Sequence, residues 1–143
     1  MRYDSIRKEL EHHNCIVFAM LYGSFAEGRA TDISDIDIGL YTDTDISLLD
    51  IGFIVSRIEI ISQKKVDILL LNDIYKKNPA LAFEIISNGQ LILCRNQGAF
   101  IDFKKNTLLF YFDTIPLRTM INRRFKNRLN ENRLGERNYV GTP

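Results

Sequence analysis

Three aspartates and a Gly-Ser pair are the residues of this chain whose types and spacing could do chemistry. Asp35 and Asp37 form an Asp-x-Asp pair that opens an apolar run through Ile36, Ile38, Gly39 and Leu40. Residues two apart on a β-strand share a face. A strand here would project both carboxylates together and send Ile36, Ile38 and Leu40 to the core. Two neighbouring carboxylates repel one another, and a bound divalent cation removes the repulsion. Taken alone, Asp-x-Asp is more often two solvated loop acids than a metal site.

Asp67 adds a third carboxylate, in the run Val66-Asp67-Ile68-Leu69-Leu70-Leu71. The run has the pattern of a buried strand. An acid inside it is costly unless it is paired or holds a metal. The plainer alternative is an acid at the exposed start of the strand, paired with Lys64 or Lys65. Upstream, Gly23-Ser24 closes the apolar run Ile16–Tyr22. Glycine lets a backbone approach a phosphate closely. A helix beginning at Ser24 would offer free N–H groups to it. By itself the pair is an ordinary turn with an N-cap serine, and its place ahead of Asp35 and Asp37 favours the phosphate reading. Gly28 would break that helix, and Ser34 would lead into the strand.

The pattern Gly23-Ser24, Asp35-x-Asp37, then Asp67 on a later strand resembles the DNA polymerase β-type nucleotidyltransferase superfamily. Its short form is similar to the minimal nucleotidyltransferases, and within them to the MNT antitoxins of HEPN/MNT toxin–antitoxin modules. The likeness covers roughly residues 5–130, with Glu27 a departure where many relatives carry Arg. It implies an α+β fold, a small mixed β-sheet covered by helices with a long C-terminal helix. It implies Asp35, Asp37 and Asp67 as catalytic and metal ligands for two Mg²⁺ ions, and Gly23 and Ser24 as contacts for ATP phosphates. Two metal ions suit in-line nucleotidyl transfer, which needs charge neutralisation more than reactive side chains. The implied activity is transfer of AMP from ATP to a tyrosine hydroxyl of a HEPN-type ribonuclease toxin, within a hetero-oligomeric complex. Two alternatives stay open: an antitoxin that masks its toxin by binding, and a small-molecule nucleotidyltransferase of the aminoglycoside-modifying type.

Composition is compatible with this. The 143 residues are 45% apolar and 26% charged, ordinary for one globular domain. No apolar run approaches a membrane span. The charged start (Arg2, Asp4, Arg7, Lys8, Glu9) does not read as a signal peptide, so the expected location is the cytoplasm. Cys15 and Cys94 read as buried reduced thiols. From Leu117 to Pro143, six arginines and one lysine face two glutamates. That net of +5 leaves −4 for the rest of a chain whose total is +1. Arg118, Arg123, Arg124, Lys126, Arg128 and Arg133 could bind nucleic acid, but a solvated helix face or a protein interface is the simpler expectation. Arg7 and His12 match an Arg-x4-His spacing found in all-helical ribonucleases, which is chance in a chain of this pattern. His12 and His13 are adjacent and share no helix face.

Periodicity places the elements that must hold these residues. Helix is expected over 3–13, strand over 16–22, a short helix from Ser24, and strand from Asp35 to about Tyr41. Leu48, Ile51, Val55, Ile58 and Ile61 recur at helical steps after a cap at Asp45 or Ser47, although β-branched content makes strand a competitor over 54–61. A strand bearing Asp67, a helix from Pro79 to about Ser87 and a strand over 90–94 follow. A long helix starts near Ala99, kinked or split at Pro116 and stopped near Gly135. The domain is expected to span 1–134, with 135–143 a flexible C-terminal tail.

Overall fold

The computed structural model describes residues 3–31 and 33–130, with the backbone alone over 115–130. The basic side chains from Arg118 onward and the expected tail 135–143 lie outside the described residues. The elements run α1 (Tyr3–Glu11), β1 (Ile16–Tyr22), β2 (Ile36–Thr42), α2 (Leu48–Ser62), β3 (Val66–Leu70), α3 (Ile74–Lys77), α4 (Pro79–Asn88), β4 (Gln90–Cys94) and α5 (Gln97–Asn130).

The strands form one sheet in the order β3-β2-β1-β4. β1 runs antiparallel to both neighbours, while β2 and β3 are parallel. A parallel pair needs a crossover, and α2 supplies it. The sheet is therefore small and mixed, as the resemblance implies.

Alternation along the strands makes two cores. On one face Ile16, Ala19, Leu21, Ile36, Ile38 and Leu40 pack with Ile6 and Leu10 of α1 and Ile54 and Ile58 of α2. On the other, Phe18 and Met20 pack with Ile74, Ala82, Ile85 and Phe103 of α3, α4 and α5. Phe18 stacks on Tyr41 with ring centroids 4.8 Å apart, and Phe103 meets Phe18 at a tilt and Tyr41 edge-on. Burial of this apolar surface is the main stabilising term.

The ends of the helices have local causes. Ser47 Oγ accepts from Asp50 N at 3.1 Å to cap α2, which settles the choice between Asp45 and Ser47. Asn78 Oδ1 accepts from Leu81 N at 3.2 Å, with Pro79 in the first turn of α4. Arg95, just past β4, donates to the carbonyls of Glu11 (2.5 Å), His13 (2.8 Å) and Ile16 (2.9 Å). One guanidinium thus satisfies carbonyls at the end of α1 and the turn into β1. Arg95→Ala should cost about 2 kcal/mol, the scale of hydrogen bonds from a charged donor. Urea denaturation measures it, and a loss indistinguishable from zero would show these bonds to be replaceable by water.

Four expectations need correction. Residues 24–28 are hydrogen-bonded turns and not a helix, so among the described residues no helix separates β1 from β2. The four-residue α3 is too short to leave a periodic signal. The line of α2 that is fully buried is Ile54 and Ile58, whereas Leu48 is 87% exposed. Apolar residues lie on most sides of that helix, so periodicity alone does not choose which side packs. α5 runs unbroken past Pro116 and starts at Gln97. Cys15 and Cys94 are free thiols, but half-buried.

Candidate active site

Strand pairing brings the three acids together. Asp35 immediately precedes β2 and Asp37 lies within it. In the parallel register Asp37 stands opposite Asp67 on β3, and adjacent strands are about 4.8 Å apart. Ile36, Ile38 and Leu40 are fully buried on the opposite face, which leaves Asp37 on the side facing α3–α5. The backbone N–H of Ile36 donates to Lys65 O at 2.8 Å, locking the starts of the two strands together. Asp35 and Asp67 are exposed and Asp37 is half-buried. Asp67 therefore escapes the burial cost that its apolar neighbours suggest.

The electrostatics follow from this placement. Burial, then Asp67, then Asp35 push the Asp37 carboxyl above its ordinary value. The acids thus feel one another, and a cation among them would relieve the repulsion. Among the described residues, no group of three Asp, Glu, His or Cys side chains forms a ready-made metal cage. Such a cage is not what Mg²⁺ requires, since it binds through one or two carboxylates together with substrate phosphates and water. The donor set of Asp35, Asp37 and Asp67, all hard oxygens, fits an ion that arrives with a nucleotide.

Tyr22 is a further member that the sequence reading missed. It ends β1, and the antiparallel register places it opposite Asp37. Burial, with Asp37 and Asp67 adding to it, pushes its phenol up to about 12. Tyr22 looks like the last residue of a core strand. Its pairing with Asp37 depends on a hairpin register that residues 23–35 do not reveal.

The Gly-Ser turn sits against the acids. Gly23 has φ +74°, and a Cβ there would collide with Asp37 Oδ2. Ser24 follows, half-buried. Glu27 N donates to Gly23 O at 3.1 Å and Arg29 N to Ser24 O at 2.9 Å, winding the segment into a compact loop. Gly28, at φ +72°, completes the turn. Glu27 pairs with Arg29 at 3.1 Å. Ser34 Oγ accepts from Thr31 N at 2.8 Å, so its hydroxyl serves the approach to Asp35. A separate cleft of about 730 Å³ lies at the other end of β2 and β3, around Thr42, Asp45, Leu70 and Lys77. None of the three acids lines it.

Acids at the starts of two parallel strands, beside a Gly-Ser turn on a small mixed sheet, match the layout of the polymerase β-type nucleotidyltransferases. The sequence model of the Polymerase beta nucleotidyltransferase family matches residues 4–98, and the chain belongs to that family. None of the curated proteins matches it. Solved structures share the fold. A mutant of the toxin–antitoxin MntA-HpeT aligns with TM-score 0.72 at 17% identity, over 86% of this chain and 97% of that one. A toxin–antitoxin with AMP-PNP gives TM-score 0.59 at 17% identity, over 92% and 98%. A tri-AMPylated Shewanella oneidensis HEPN toxin in complex with MNT antitoxin gives 0.65 at 16% identity, over 85% and 93%. Among the described residues no helix is long and apolar enough to cross a membrane.

Proposed function

We propose that this chain is an antitoxin nucleotidyltransferase that moves AMP from ATP to a tyrosine hydroxyl of a HEPN-type toxin and so silences it in the cytoplasm. The observation that carries this reading is the register of Asp37 against Asp67 with Asp35 two residues away. The fold shared with the MNT antitoxin beside a tri-AMPylated HEPN toxin supports it. The working unit would be residues 1–134.

Asp35 and Asp37 would hold divalent ions, and Asp67 would share the one nearer the acceptor. Mg²⁺, when bound, supplies charge neutralisation for the phosphates and for the attacking oxygen. Gly23 and Ser24 hold the β- and γ-phosphates, with backbone approaching closely and the serine hydroxyl donating. The tyrosine oxygen bonds to the α-phosphorus, the α–β bridging bond breaks, and pyrophosphate leaves. Asp67 would accept the phenolic proton.

A catalyst turns over, whereas a masking antitoxin is consumed by binding. With ATP and Mg²⁺, a small amount of the chain should therefore inactivate a molar excess of purified HEPN-type toxin. Mass spectrometry of the toxin should show added AMP units on tyrosine. Neutralisation that tracks a one-to-one ratio, with or without ATP, would replace this reading by masking.

A further inference from the structure

The loop that would cradle the phosphates is built of turns closed by its own backbone hydrogen bonds, and contacts from outside it add to them. Two side chains from distant segments reach it. Gln90 Nε2 donates to Ala26 O at 3.2 Å. Lys64 Nζ lies 5.6 Å from the centre of the Phe25 ring. Phe25 and Ala26 also pack against the core on the α1–α2 face.

Of the two side chains, Gln90 stands on the more rigid base. It opens β4 opposite Leu21 of β1, two residues before Gly23. Gly89 N donates to Ile85 O at 2.8 Å, which ties the start of β4 to the end of α4. A Cβ at Gly89 would clash with that same carbonyl and approach Leu21 O to 3.0 Å, so the backbone there is closely packed. A donor on such a base fixes the carbonyl it reaches more tightly than one on a loop would. Ala26 is two residues from Ser24, inside the turn closed by the Gly23 and Ser24 carbonyls.

We propose that Gln90 is a positioning residue: by holding Ala26 O it keeps the Gly23–Arg29 loop in the shape that receives the nucleotide's phosphates. The inference rests on the nucleotide-binding reading above. Gln90 touches neither the reacting atoms nor the three acids in this scheme. It acts on how well ATP is held and little on the chemical step.

Gln90→Met keeps the length of the side chain and removes the donor. The KM for ATP, and the ATP–Mg²⁺ affinity by calorimetry, should weaken roughly two- to tenfold, the scale of one neutral hydrogen bond. The kcat and the Tm should hardly move. Gln90→Lys restores a donor and should recover most of the affinity at physiological salt. Wild-type affinity in Gln90→Met would overturn the proposal. So would a fall in kcat and Tm together, which would make Gln90 an ordinary structural residue. A wild-type chain that binds no ATP would remove the parent reading and this inference with it. That result is distinct from a wild type that binds ATP and a Gln90→Met variant that binds it equally.

Discussion

Replacing Asp35 and Asp37 together with asparagine should abolish nucleotide transfer and leave the ion-free protein at least as stable as before. The loss of transfer should reach about three orders of magnitude or more, since each charged group that stabilises a transition state is worth roughly 10²–10³ in rate. Labelled ATP with Mg²⁺ and the toxin measures it, and equal labelling by the double variant would sink the assignment of these acids. Antitoxin action that survives the substitution would point to masking.

The stability half of that expectation follows from the sign of the Asp37 shift. Its carboxyl titrates above the ordinary value in the fold because of burial, Asp67 and Asp35. Between the unfolded and folded values the native state binds more protons than the unfolded one, so stability falls as pH rises through that window. At neutral pH the ion-free cluster is thus a liability, and asparagine removes it. Thermal melts without divalent ions should show the parent gaining on the variant as pH drops toward the ordinary carboxylate range. A parent that is more stable than the variant at neutral pH would mean that the acids are satisfied without a cation.

How much of this was legible in the sequence varied with the range of the signal. Strand positions of Asp37 and Asp67 could be read because each sits in a short apolar run, and a period of two assigns faces without tertiary information. The facing of Ile36, Ile38 and Leu40 to the core follows from the same rule, and all three are fully buried. What could not be read depends on pairing across long gaps. Tyr22 meets Asp37 through a hairpin register, and Gln90 meets Ala26 from the far edge of β1. Ser24 reads as a helix start because a serine after glycine is a good cap, yet only four residues lie between the two left-handed glycines. A left-handed residue at each end interrupts the right-handed helical run, and turns win.

Gly23 offers a sharp second test, because Gly28 is its built-in control. Both have nearly the same left-handed backbone, φ +74° and +72°. Alanine at either position meets the same backbone penalty, about 1–2 kcal/mol. The surroundings differ: a Cβ at Gly28 meets nothing within 4 Å, whereas at Gly23 it would strike Asp37 Oδ2. Gly28→Ala should therefore lower stability by about 1–2 kcal/mol and weaken activity far less. Gly23→Ala should lower stability further and cut transfer by about two orders of magnitude or more, because the Asp37 carboxylate must turn away from its place between Tyr22 and Asp67, and misplacement of about 1 Å already costs on that scale. Denaturation midpoints and transfer rates for the pair separate the shared backbone term from the collision. Equal losses of activity in the two variants would mean that contact between Gly23 and Asp37 does not set the position of the carboxylate. The Gly-Ser turn would then act on the phosphates alone.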